Sequence, residues 1–220
     1  MLFDKITEIL DPEPHAAALN MAIDEVLFHR ASGVLLRVYR WERPAVSFGY
    51  FEKADEVRAA WPERELVRRW TGGGVVPHGE DATYTLVVPG GCEVLKMSVA
   101  ESYRVIHECV AHALAASGID AELAAIAAPK TSSACFENTV RYDLTDGAQK
   151  IAGAAQRRTR AGLLHQGSIS APGLDASFAQ RLAREFAQRI NRRPLTADEL
   201  AAAAELAQSK YGTRSWMEKR

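Results

Sequence analysis

Arg68-Arg69-Trp70-Thr71-Gly72-Gly73-Gly74-Val75-Val76-Pro77-His78 is the stretch on which the fold and chemistry of this chain turn. It follows a run with strand character, Glu65 to Trp70, and precedes another, Ala82 to Val88. Three consecutive glycines reach φ > 0 at no steric cost and let backbone lie directly against a ligand. Successive N–H groups in such a loop can cradle an anion. A bare Gly-Gly-Gly is more often a flexible turn. Between two strands, however, its entropic cost argues for a use. The spacing matches neither the Walker A loop nor the dinucleotide fingerprint.

Working outward, residues 14–31 predict a helix, with Leu19, Ile23, Val26 and Leu27 on one face and Gly33 as a stop. Val34 to Trp41 and Ala45 to Tyr50 read as strands. Residues 98–117 predict a second helix, opened by a capping box of Ser98 and Glu101. An irregular stretch runs to Ser133, and short strands follow near 140–145, 149–156 and 163–170. The tail reads as two helices, with capping boxes Ser177/Gln180 and Thr196/Glu199, separated by Pro194. Strands in front, with helices inserted and appended, argue for α+β rather than regular βαβ winding. The expectation is one domain over 1–220, with a mixed or antiparallel sheet and a helical C-terminal extension at about 175–220.

Composition narrows the function. The 220 residues are 47% apolar and 25% charged, values of an ordinary globular chain. Lys plus Arg is 27 against 28 Asp plus Glu, a net charge of -1 that does not suit coating nucleic acid. Cys92, Cys109 and Cys135 have neither disulfide-framework nor zinc spacing, so a reducing cytoplasm is expected and no metal site is read. No signal peptide or membrane span is read either.

A second segment, Gln149-Lys150-Ile151-Ala152-Gly153-Ala154-Ala155-Gln156-Arg157-Arg158, sets one lysine before a run of small residues. A lysine in a strand is usually a solvated edge residue. Over a small-residue floor it can instead turn its ammonium into a pocket and polarise a carbonyl or hold a phosphate.

The strings RRWTGGGVVPHGEDATYTL, KIAGAAQRR and LLHQGSIS, in this order, resemble the lipoate–protein ligase and octanoyltransferase family, whose fold is shared with biotin–protein ligases. The segments at Asn20–Glu25, Arg37–Trp41 and Val46–Tyr50 agree, so the resemblance covers roughly 15–170. It implies attachment of octanoyl or lipoyl to a lysine of a small carrier domain. By position, Arg69, Gly72, Gly73, Gly74, His78, Gly153, Ala154, Gln156 and His165 inherit binding roles, with Lys150 catalytic.

Cys135, in Ser133-Ala134-Cys135-Phe136, stands fifteen residues before Lys150 and resembles the nucleophile of the cysteine-dependent transferases. A thiolate there would take the acyl group from a thioester, helped by a nearby ammonium. That reading needs no cofactor. It implies an acyl carrier protein as donor and a lipoyl domain or glycine-cleavage H-type protein as acceptor. Two alternatives stay open: an ATP- and Mg-dependent lipoate ligase in which Cys135 is incidental, and a non-catalytic acyl-binding protein. His107 and His112 are five apart, about 140° around a helix, and read as surface residues. Arg68, Arg69, Arg157 and Arg158 read as a basic rim facing an acidic partner.

Overall fold

The computed structural model describes residues 1–126, 139–147, 149–171 and 173–219. The elements in chain order begin with β1 (Phe3–Leu10), α1 (Ala17–Arg30), β2 (Leu35–Tyr39), β3 (Ala45–Phe48), α2 (Ala54–Ala60), β4 (Glu65–Arg68), β5 (Val75–His78) and β6 (Ala82–Pro89). They continue with α3 (Val99–Ala115), β7 (Glu122–Leu123), β8 (Leu144–Asp146), β9 (Gln149–Thr159), β10 (Gly162–Ile169) and α4 (Phe178–Phe186). The last are β11 (Ala187–Pro194), α5 (Ala197–Leu206), a π-helical turn at Ala207–Tyr211, and α6 (Arg214–Met217). This is the expected α+β architecture.

An eight-stranded mixed sheet has the order β11-β1-β2-β6-β10-β9-β8-β7, and a separate three-stranded sheet the order β4-β3-β5. Strand β1 runs parallel to both β11 and β2; β6, β10 and β9 form an antiparallel centre. Side chains of these central strands alternate between two buried faces. Tyr84, Leu86 and Val88 pack with Ile106 and Val110 of α3 and Leu182 of α4. Leu35, Val87 and Leu164 pack with Ile23 and Leu27 of α1. Burial on both faces explains why every residue of β10 is buried.

Three sequence expectations change. Residues 20–28 of α1 are buried around the whole circumference, because the helix lies between the large sheet and α5; the expected single apolar face was too narrow. The stretch at 175–220, expected as a helical extension, carries strand β11, whose register on β1 runs from Phe3↔Ala187 to Leu10↔Pro194. Its sequence, Ala-Gln-Arg-Ile-Asn-Arg-Arg-Pro, has little apolar signal, since an edge strand is held by backbone pairing and guarded by charge. The capping boxes also differ: Thr196 and Glu199 form the full reciprocal pair, Ser98 Oγ accepts from Glu101 N, and Ser177 turns to Asp175 instead of capping α4.

A buried polar knot joins α1 to the sheet. Arg37, fully buried, donates to Asp11 Oδ2 (2.8 Å), Asp24 Oδ1 (2.8 Å) and Asn20 Oδ1 (2.6 Å), and its guanidinium lies 3.9 Å from the Tyr39 ring centroid. These two carboxylates hold the charged form of Arg37 against the cost of burial. Arg37→Leu strands two buried carboxylates and is expected to lower unfolding free energy by about 3–5 kcal/mol, measured by urea denaturation at pH 7.

Candidate functional site

The glycine loop leaves the end of β4 and returns as β5, so both of its stems belong to the small sheet. Gly73 takes φ +85°, and a Cβ on it would press on Arg69 Nη2 and the Ala155 side chain at 3.2 and 3.3 Å. A Cβ on Gly49 would sit 1.8 Å from Gly73 O, so the 49–50 backbone lies directly behind the loop. Gly49 N donates to Gly74 O and Tyr50 N to Thr71 O. In front, Arg69 Nη2 donates to Gly72 O (3.1 Å) and Gly74 O (2.9 Å).

The loop closes one side of a pocket of about 540 Å³, a volume that includes its open mouth. Met21, Tyr39, Trp41 and Val76 give it apolar walls, and Gly153, Ala154, Ala155 and Gly167 give it a floor of small residues. Arg69, Gly73, His78 and Lys150 line it as well. Mostly apolar walls with a few polar groups are the lining expected of a small-molecule site.

Lys150 reaches the pocket because β9 brings it over Gly153. A Cβ on Gly153 would meet Lys150 Cε and Nζ at 2.6 and 2.7 Å. The ammonium pairs with Asp143 Oδ2 at 2.8 Å. Asp143 is itself fully buried, and its carboxylate also accepts from Val140 N (2.8 Å) and the Tyr103 hydroxyl. The preceding Tyr142 takes φ +73°, with its carbonyl held by His107 Nδ1 at 2.6 Å.

On the opposite wall, Ser47, His78 and Asp81 form a chain. His78 Nδ1 lies 2.8 Å from Asp81 Oδ2, and a carboxylate only accepts, so this nitrogen carries the proton. His78 Nε2 therefore accepts from Ser47 Oγ at 2.6 Å, while Arg69 Nη1 donates to the same hydroxyl at 2.7 Å. Burial keeps the imidazole below its ordinary pKa, and Trp41 stacks on it at 4.0 Å. Although burial alone would raise the Asp81 carboxyl, bonds from His78, Ser168 and Gly79 hold it down at about 2.

The structure thus gathers Arg69, Gly73, His78, Lys150, Gly153 and Ala154 at one pocket, with Gly72 and Gly74 in its loop. It turns Gln156 and His165 away from it. They face α3, bonded to each other at 3.0 Å, with His165 Nε2 on the Tyr84 hydroxyl; the pocket position on β10 goes to Gln166. Cys135 lies outside the described residues. Ser47, Asp81 and Gln166 lie inside the family-like segments but are not singled out there, and Asp143 lies outside those segments.

Two surface expectations are corrected. His107 is fully buried against Tyr103, whereas His112 is exposed. The basic rim does not exist as drawn. Arg68 and Arg69 are buried, Arg157 lies over the Trp70 ring at 4.2 Å, and Arg158 donates to Met97 O at 2.7 Å and to Ser102 Oγ.

The sequence model of the lipoyl protein ligase A/B catalytic domain matches residues 16–197. The chain belongs to this family. It is 37% identical over 169 residues to an octanoyltransferase LipM of Oceanobacillus iheyensis, covering 73% of this chain and 62% of that protein. An octanoyltransferase LipM of Brevibacillus brevis is 29% identical over 270 residues, 96% of each chain. In fold, a T. acidophilum protein solved with bound lipoic acid superposes with a TM-score of 0.79 over 98% of this chain and 99% of that one, at 21% identity. The catalytic-domain family span therefore takes in every pocket-lining residue named above.

Two expectations follow from the site. Gly153→Ala should push the Lys150 side chain from its place beside Asp143 and lower unfolding free energy by about 1–3 kcal/mol, read by urea denaturation at pH 7. The second concerns acid. Burial lowers the pKa values of His78, His107 (to about 4) and His165 below the ordinary 6.5. A lowered histidine binds its proton more readily when unfolded, so its stabilisation is complete above pH 6.5 and lost as pH falls toward the folded value. Asp81 adds a loss only between about 3.8 and 2. Unfolding free energy should fall from pH 6.5 to 4 by roughly 1.4 kcal/mol per pH unit for each proton taken up, with more than one proton involved. Urea titrations at pH 7, 6 and 5 measure that slope.

Proposed function

We propose that this chain is a protein acyltransferase that moves octanoyl from a carrier-protein thioester, through Cys135, to the lysine of a lipoyl-type acceptor domain. It would work as one catalytic unit over residues 1–220, in the cytoplasm. No described helix is long and apolar enough to cross a membrane. The observation that carries the proposal is the Lys150 ammonium over the Gly153 floor, paired to Asp143, inside a narrow apolar pocket. The 37% identity to a protein named octanoyltransferase LipM supports the acyl group and the transfer.

The chemistry runs in two balanced steps. The Cys135 thiolate adds to the donor thioester carbonyl, the carrier's C–S bond breaks, and the carrier leaves as a thiol after gaining a proton. The acceptor's neutral lysine amine then adds to the acyl-cysteine. The C–S bond to Cys135 breaks, an amide forms, and one proton is released from the amine. In both steps negative charge builds on the carbonyl oxygen. The Lys150 ammonium, held by a buried partner, would stabilise that charge. His78, which burial keeps below its ordinary pKa and Asp81 orients through Nδ1, forms part of the pocket wall.

Intact-mass measurement tests this. Incubation with octanoyl-carrier protein alone should add one octanoyl group to the enzyme, and Cys135→Ala should abolish both that adduct and transfer. Lys150→Met should slow both. Acceptor modification that needs ATP, and survives Cys135→Ala, would make the chain a ligase instead. Alkylation gives an independent check. Burial pushes the Cys109 thiol up to about 11 and raises Cys92 too, so iodoacetamide at pH 7 should label Cys135 first, and octanoyl donor should protect it.

A further inference from the structure

The C-terminal turn and helix (207–217) lie outside the Lys150 and glycine motifs, yet they are tied to the glycine loop by one buried side chain. Arg68 is 1% exposed. Its hydrogen-bond partners among the described residues are all backbone carbonyls, and its guanidinium also lies over the Phe48 ring. Nη1 donates to Tyr50 O (2.7 Å) and Glu52 O (2.8 Å). Nη2 donates to Met217 O (2.7 Å), and Nε to Trp216 O (3.0 Å) and Met217 O (3.1 Å). Trp216 returns a bond from its Nε1 to Arg68 O at 3.0 Å.

A guanidinium taken out of water without a carboxylate hydrogen bonded to it is costly, and burial lowers the Arg68 pKa although the charge of Glu52 acts the other way. A planar fork donates from Nε, Nη1 and Nη2 to carbonyls of two separate segments at once, a spread of donors that the single nitrogen of an ammonium does not match. One of those segments, 49–52, is the backing of the glycine loop, with no room for even a Cβ between Gly49 and Gly73 O. The other, 216–217, rests on a turn anchored to α1: Trp216 packs against Tyr211 and Lys210, Lys210 Nζ donates to Glu25 at 2.6 and 2.8 Å, and the Tyr211 hydroxyl donates to the same carboxylate. Arg69, the next residue, grips the loop from its pocket side.

We propose that Arg68 is a positioning residue for acyl binding, and that the C-terminal segment holds the glycine loop in its ligand-ready shape through it. The proposal rests on the acyl-pocket reading above. Arg68 touches no substrate; it acts through the 49–52 turn. In this view the C-terminal segment is part of the binding machinery.

The test compares Arg68→Lys and Trp216→Ala with Leu182→Ala, a core change in α4 on the far face of the sheet. Hydrogen exchange at the Gly49 and Tyr50 amides reports the backing of the loop, and calorimetry with octanoate reports the pocket. The expected result is at least tenfold faster exchange at Gly49 and Tyr50, and at least tenfold weaker octanoate binding, in Arg68→Lys and Trp216→Ala. Leu182→Ala should change neither by more than about twofold, even where its melting temperature falls further. If Arg68→Lys does not fold, Trp216→Ala alone decides. Unchanged exchange and affinity in the folded variants would overturn the proposal, as would equal losses in Leu182→Ala. If the unmodified protein fails to bind octanoate, the acyl-pocket reading fails, while the exchange rates still decide whether Arg68 braces the loop.

Discussion

The carboxylate of Asp24 is the point on which this architecture depends. It sits fully buried on a helix that is itself enclosed, and it accepts from Arg37, the Tyr39 hydroxyl, Thr85 Oγ1 and Gln166 Nε2. A buried carboxylate without such donors would be untenable. With them it fastens α1 to β2, β6 and β10 at one place. Gln166 then passes the connection on, accepting at its Oε1 from Thr71 Oγ1 at 2.8 Å. Thr71 begins the glycine loop. The large sheet and the loop of the small sheet are thereby held in register by a short series of satisfied polar groups.

Around that anchor the site divides its labour. The small sheet supplies the glycine loop, which lies so close to Gly49, Arg69 and Ala155 that Gly73 leaves little room for a side chain. The large sheet supplies the charged part, Lys150, on a long central strand where its position is set by Gly153 beneath and Asp143 beside it. Rigid strands place a charged group more accurately than a loop could, which suits the role proposed for Lys150. Gripped by Arg69 in front and backed by 49–50 behind, the loop keeps one shape despite its three glycines.

Buried polarity also explains the departures from simple patterning. His107 looked like a surface residue because helical spacing separated it from His112, yet its proton is needed to hold the Tyr142 carbonyl beside Asp143. His165 and Gln166 are adjacent in sequence, but strand alternation sends them to opposite faces, so one serves the α3 side and the other the pocket. The paired arginines divide in the same way: Arg68 reaches back to the C-terminal segment and Arg69 forward to the loop.

What the amino-acid order determined by itself was local. It set the strand before Gly72–Gly74 and the strand from Ala82, though not β5 between them, together with the helix opened by Ser98, the Thr196–Glu199 box, and the lysine over small residues at 150–155. Each depends on neighbours a few positions apart, where backbone freedom, capping and side-chain size leave a readable mark. The resemblance carried by the glycine and lysine motifs extended this to an α+β family fold. Only the tertiary structure decided that β11 completes the large sheet beside β1, because an edge strand is fixed by backbone pairing across more than 180 residues and needs no apolar pattern. It alone brought Ser47 to His78 and Asp143 to Lys150. Polar side chains carry no periodic signal, and their partners are chosen by which strands and loops come to lie side by side.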